Sequence, residues 1–135
     1  MISLSPELYW LTLTALMTAA LWLPYILNRI IEIGLWGALK NPEQDSHAKA
    51  AWADRMQASH VNAVENLVVF APLAIAVHVT GVGTSTTAVA AAAYFFARLA
   101  HILIYTLGIP GLRTTAFVIG FGAQVILGFT LLGWM

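Results

Sequence analysis

Residues 55–72, RMQASHVNAVENLVVFAP, join a polar segment directly to an apolar run. The polar half contains a cation, a histidine, an asparagine and a carboxylate: Arg55, His60, Asn62 and Glu65. The apolar half has the composition of a membrane interior. A charged side chain at hydrocarbon depth costs about 2.5–3.5 kcal/mol on insertion scales, and such residues usually serve a function. The stretch therefore predicts a membrane helix that carries a functional site.

The composition is that of an integral membrane protein. Of 135 residues, 60% are hydrophobic and 9% are charged, against about 25% charged residues in soluble domains. Six basic and six acidic residues cancel, so no global field favours nucleic acid as a partner. The chain has no cysteine, which excludes disulfides and a cysteine nucleophile, and no set of histidines and carboxylates has the spacing of a metal site. The first apolar stretch lacks the basic start of a cleaved signal and is expected to be retained.

Four apolar stretches have the length of about 20 residues that a membrane helix needs. They form one predicted domain, residues 1–135, with spans at about 6–39, 49–79, 86–107 and 112–134. Pro24 is expected to kink the first span because it lacks a backbone donor and crowds the preceding turn, and Pro72 can bend the second. The predicted fold class is all-α, an integral membrane four-helix bundle.

The positions of the cations predict the orientation. Four of the six Lys and Arg residues flank two loops: Lys40, Lys49, Arg55 and Arg113. The positive-inside rule therefore places loops 40–54 and 108–113 in the cytoplasm. Short loops favour a bacterial inner membrane as the location.

Helical geometry sorts the polar residues of the second span into two faces. Asn62 and Glu65 fall on one face, with Arg55 beside them, because successive residues are about 100° apart. His60 points to roughly the opposite side. One subunit would leave one of these faces without a role, whereas an oligomer could use both.

The third span carries a polar stripe formed by Tyr94, Arg98, His101 and Tyr105. Their spacing of 4, 3 and 4 residues confines them to one narrow face of a helix, which must contact protein or water. One interpretation is a buried ion pair between Arg98 and Glu65 that joins two helices. The other is a polar ligand bound between helices. In the first span, Arg29 and Glu32 are also close enough to pair.

Three motifs resemble the MAPEG family, the membrane-associated proteins in eicosanoid and glutathione metabolism, which include microsomal glutathione transferases and prostaglandin E synthases. The motifs are Arg55 followed by SHVNAVE at 59–65 with Phe70 and Pro72; Arg98-x-x-His101-x-x-x-Tyr105; and Arg113-Thr114 leading into FVIGFG at 117–122. They occur in order on the predicted spans, and the resemblance runs from about residue 41 to Leu127.

The resemblance implies a four-helix subunit in a homotrimer, with glutathione bound between neighbouring subunits near the cytoplasmic side. It implies a set of glutathione-binding residues: Arg55, His60, Asn62, Glu65, Tyr94, Arg98 and His101. Arg113 and Tyr105 are the implied catalytic residues. The implied reaction is a transferase or peroxidase reaction between glutathione and a lipophilic electrophile that arrives from the membrane lipid.

The expected role of Arg113 agrees with thiol chemistry. A thiol with a pKa near about 8.5 is a poor nucleophile at neutral pH, and a nearby guanidinium lowers that pKa by favouring the thiolate. Tyr105 could donate a hydrogen bond to the same sulfur. Glu65 could accept hydrogen bonds from the ammonium group of the ligand.

Two positions depart from the family pattern. Ala58 stands where several eicosanoid-type relatives have arginine, and Phe117 stands where some have tyrosine. With fewer cations, a non-catalytic membrane protein of the same fold that binds glutathione or lipid remains an alternative. A small multidrug-type transporter is a further alternative, in which Glu32 would couple transport to protons.

Overall fold

The computed structural model describes residues 3–43 and 46–135, and within these it contains helices and no strand. Residues 44 and 45 of the predicted loop 40–54 lie outside the described residues. The helices are α1 Pro6–Ala20, α2 Trp22–Leu39, α3 Ala51–Thr80, α4 Ser85–Leu107 and α5 Leu112–Leu131. With α1 and α2 counted together, four helices are long and apolar enough to cross a membrane. The predicted all-α membrane bundle of four spans is confirmed.

The first span is interrupted at Leu21, between α1 and α2. Pro24 has no N–H to bond the carbonyl of Ala20, four residues earlier, and the N–H of Leu21 bonds the carbonyl of Thr18 at 3.3 Å instead. The hydrogen bonds of the helix are thus interrupted one turn before Pro24, while Leu21 itself keeps helical backbone angles. A second interruption, which was not predicted, lies at Gly34, whose φ of +75° is readily adopted by glycine.

A side chain from α2 binds the backbone directly before α3. The carboxylate of Glu32 accepts hydrogen bonds from the backbone N–H groups of Lys49 at 3.1 Å and Ala50 at 3.0 Å. It also accepts one from the side-chain amide of Asn28. Among the described residues no ion pair joins Glu32 to Arg29, so the pair that their spacing allows does not form. The physical reason is that the backbone N–H groups of Lys49 and Ala50 need acceptors and take both carboxylate oxygens. A carboxylate bonded in this way is a poor candidate for proton-coupled transport.

Helix α4 is the central helix of the bundle and contacts α1, α3 and α5. Its alanines allow close approach of its neighbours, as small residues do in membrane bundles. The ring of Tyr94 stacks on Phe70 of α3, with centroids 3.8 Å apart and planes 10° apart. Around this pair the core consists of Ala74, Val77, Ala90, Ala91, Ala123 and Leu127. Helix α3 continues through Pro72 to Thr80.

A buried carboxylate joins the beginnings of α1 and α4. Glu7, only 3% exposed, accepts a hydrogen bond of 2.6 Å from the hydroxyl of Thr87. Thr87 also forms a reciprocal capping box with Thr84 at the start of α4. An anion near a helix N-terminus is stabilised by the helix dipole. This contact lies at the end of α4 opposite the loop that leads to Arg113.

Candidate functional site

Arg98 is a buried cation in the middle of the bundle, with 1% of its surface exposed. Its Nη2 donates to Oδ1 of Asn62 at 2.7 Å and lies 3.4 Å from Nδ1 of His101, whereas its Nε has no partner among the described residues. A buried charge is normally compensated by an opposite charge. No carboxylate in the described part of the chain pairs with this guanidinium.

The first interpretation, an ion pair between Arg98 and Glu65, is wrong within one subunit. Glu65 is exposed on α3, and Arg98 bonds Asn62 instead. Residues three apart on a helix point about 60° apart, so Asn62 can face α4 while Glu65 is turned towards the outside of the bundle. The second interpretation, a polar ligand beside Arg98, is the one that this arrangement leaves open.

The polar stripe of α4 faces protein, as its spacing predicted. Tyr94, Arg98 and His101 are buried, and Tyr105 is half-buried near the end of the helix. Tyr94 belongs to the core through its stacking on Phe70. His101 bridges the remaining members, since its ring contacts the ring of Tyr105 edge-on with centroids 5.7 Å apart.

Arg113 extends this chain of contacts onto α5. Its guanidinium carbon lies 4.8 Å from the centre of the Tyr105 ring, within the range of a cation–π interaction. Arg113 is exposed and occupies the first turn of α5. The structure therefore gives Arg113 a fixed neighbour while its charge stays accessible from the end of the bundle.

Two adjoining cavities open around Tyr105 and Arg113. One, of about 280 Å³, is lined by Asn62, His101, Tyr105, Arg113, Thr114 and Phe117. The other, of about 260 Å³, is lined by the same Tyr105, Arg113 and Thr114, by Arg55 and by the loop 108–111. Together they connect five of the predicted site residues at the expected cytoplasmic end. Thr114 was missed by sequence reasoning as a lining residue, although it stands in the Arg113-Thr114 motif.

Arg55 lines the cavity of about 260 Å³ and also binds the end of α4. Its Nε donates to the carbonyl of Thr106 at 3.0 Å, and a cation at this helix end is favoured by the dipole. The guanidinium packs against Gly108, where a Cβ atom would lie 3.0 Å from Cζ of Arg55. Sequence reasoning recognised Gly108 only as part of a helix break.

Two of the predicted site residues lie apart from this cluster. His60 faces α2, where its Nδ1 lies 2.8 Å from the hydroxyl of Tyr25. Glu65 lies exposed on α3. Over the described ranges, no group of three or more histidines and carboxylates could hold a metal ion.

The Arg55 contact can be tested with two glycines that end helices in the same backbone conformation. Gly108 (φ +74°, ψ +29°) and Gly81 (φ +70°, ψ +17°) are both left-handed, but only a Cβ at Gly108 would meet Arg55. Each alanine should lose stability through its backbone by about 1–2 kcal/mol. We expect Gly108→Ala to lower the thermal unfolding midpoint in detergent further than Gly81→Ala.

The Arg55→Ala background provides the control for this comparison. There the difference between the two alanine variants should disappear, because the crowded guanidinium is gone. Equal losses for both variants in the wild-type background would contradict the packing of Arg55 on Gly108.

Comparisons with known proteins place the chain in a family. No curated protein and no solved structure matches it. The model of the MAPEG family matches residues 8–133, nearly the whole chain. That range contains α3, α4 and α5 and every member of the cluster around Arg98 and Arg113. The chain is therefore an integral, multi-pass membrane protein that belongs to the MAPEG family.

Proposed function

We propose that the protein is a glutathione-dependent membrane transferase or peroxidase that acts on a lipophilic electrophile. The observation that carries the proposal is the buried guanidinium of Arg98, which has an amide and an imidazole beside it but no carboxylate among the described residues. Glutathione supplies carboxylates, and members of this family use it as a cosubstrate.

The inner part of the site, around Asn62 and His101, fits the peptide portion of glutathione. Both residues line the cavity of about 280 Å³ and lie beside Arg98, which is buried and lines neither cavity. A carboxylate of the ligand at this position would compensate the charge of Arg98. Asn62 is already bonded to Nη2 of Arg98, so its amide is held where it can contact the same ligand. His101 lies beside the same Nη2 and also lines the cavity.

The part of the site around Tyr105 and Arg113 fits the thiol. Arg113 and Tyr105 line both cavities, so a sulfur placed there would lie near a cation and a phenol. The cation favours the thiolate. In a transfer reaction the thiolate forms a C–S bond with the electrophile, whose leaving group departs with the electron pair. In a peroxidase reaction two glutathione thiols supply two electrons, and a hydroperoxide becomes an alcohol and water.

A neighbouring subunit completes the proposed site. Glu65 lies midway along the membrane-spanning α3 and is exposed, and a carboxylate facing acyl chains would be costly. We infer a homotrimer in which Glu65 of one copy is covered by the next and binds the ammonium group of the glutathione held there. The lipophilic substrate enters this interface from the bilayer, and glutathione enters from the cytoplasm through the 108–113 side, in a bacterial inner membrane.

A glutathione-binding protein without turnover is the second candidate. Phe117 lines the cavity next to Arg113 and offers no hydroxyl, and Ala58 contributes no cation. Binding of glutathione without any conjugation or peroxide reduction would favour this candidate over an enzyme.

Calorimetry of glutathione binding to the detergent-purified protein tests the proposed site. Arg98→Gln should weaken binding by about 2–5 kcal/mol, as removal of one partner of a buried charge pair does. Arg113→Gln should weaken it less, because Arg113 is exposed. The matched control is Lys49→Gln, which removes an exposed cation that lines neither cavity. Absence of binding to the wild type at millimolar glutathione, or equal losses in all three variants, would contradict the proposal.

Mixed assemblies test whether the site lies between subunits. Glu65→Ala and Arg98→Gln should each bind glutathione poorly as pure assemblies. Co-assembly of the two variants should restore binding, because an intact Glu65 of one copy then meets an intact Arg98 of another. Calorimetry on doubly tagged, co-purified assemblies measures this directly. If mixed assemblies bind no better than the pure variants, the site is not shared in this way.

A further inference from the structure

The end of the bundle opposite Arg113 contains a second polar cavity, with a volume of about 440 Å³. It lies between the starts of α1 and α4 and the end of α3. Its polar side chains are those of Ser5, Glu7, His78, Thr84 and Ser85. None of these residues lines the cavities around Tyr105 and Arg113, so the proposed glutathione site leaves this cavity without a role.

Glu7 gives the cavity an anion that lacks a matching cation. The carboxylate is 3% exposed, and Thr87 satisfies one oxygen, Oε1. The described residues offer Oε2 no hydrogen bond, and no ion pair involves Glu7 there. The whole second loop, residues 81–84, contains no Lys or Arg. The dipole of α4 offsets part of the cost of burying this charge, but a cation with N–H donors would compensate it more fully.

An apolar groove continues from this cavity along the outside of α4 and α5. The groove has a volume of about 470 Å³ and includes Val89, Ala93, Ile119, Gly122 and Ile126 in its lining. Ser85 lines both the groove and the cavity, so the two adjoin at the start of α4. A polar cavity that contains one charged group therefore leads directly into an apolar groove, whose lining suits an acyl chain.

We infer that the end of the bundle opposite Arg113 binds a phospholipid with a primary ammonium headgroup, such as phosphatidylethanolamine. The ammonium donates to Oε2 of Glu7. The phosphate lies by the hydroxyls of Thr84 and Ser85, where the first N–H groups of α4 have no partners within the helix. One acyl chain lies in the groove between α4 and α5. This inference does not depend on the proposed enzymatic function.

The chemistry of the cavity discriminates between headgroups. A choline headgroup carries the same charge but has no N–H to donate to a carboxylate. A glycerol headgroup leaves the lipid with a net negative charge next to Glu7. A primary ammonium provides both the charge and the donors, and hydrogen bonds between charged partners are the stronger kind.

Native mass spectrometry of the detergent-purified protein tests the inference with three lipids that have identical acyl chains. We expect phosphatidylethanolamine to be retained about tenfold more than phosphatidylcholine or phosphatidylglycerol, the ratio for one charge-assisted bond. Glu7→Gln should abolish this preference. The amide oxygen of the new side chain can still accept from Thr87, so the contact between α1 and α4 is kept.

Two glycines of α5 test the groove separately. Gly122 lines the groove and Gly128 does not, and a Cβ at either position would meet no atom within 4 Å. Gly122→Leu should reduce retention of phosphatidylethanolamine, whereas Gly128→Leu should not. Equal retention of the three lipids by the wild type, or an unchanged preference in Glu7→Gln, would overturn the inference. Equal effects of the two leucines would overturn the assignment of the acyl chain.

Discussion

The buried guanidinium of Arg98 is the constraint on which the rest of the structure depends. A charge on a lipid-embedded helix must be covered by protein and given partners. Asn62 supplies one partner, which fixes α3 against α4, and His101 supplies the other. Because neither partner is a carboxylate, the fold holds Arg98 in position without neutralising its charge. In the proposed site, the same residue therefore links helix packing to ligand recognition.

Charged side chains from two other helices bind the two ends of α4. The sign of each charge is the one that the helix dipole favours at that end. At its start, the carboxylate of Glu7 accepts from Thr87; at its end, Arg55 donates to the carbonyl of Thr106. These contacts fix α1 to the first end and α3 to the second. A helix restrained in this way holds Arg98 and Tyr105 at defined depths, so the position of the site follows from the ends of α4 as much as from its middle.

The sequence allowed the membrane bundle and the stripe of α4 to be predicted because both depend on regular helical spacing. It did not reveal which partner Arg98 takes, since Asn62 and Glu65 differ by only about 60° around α3. The contact between Glu7 and Thr87 joins residues that are 80 apart and has no local pattern. The spacing allows Glu32 to pair with Arg29 in its own helix, but the backbone N–H groups of Lys49 and Ala50 compete for the same oxygens.

The most direct measurement is the ultraviolet difference spectrum of glutathione bound to the protein at neutral pH, which reports the thiolate. If the site activates the thiol, the wild type should show a thiolate band when glutathione is added, and Arg113→Gln should lose it while glutathione, held through Arg98, still binds. A site that binds glutathione as the neutral thiol, or a thiolate band that survives in Arg113→Gln, would contradict the account. The spectrum thus separates thiol activation from simple binding.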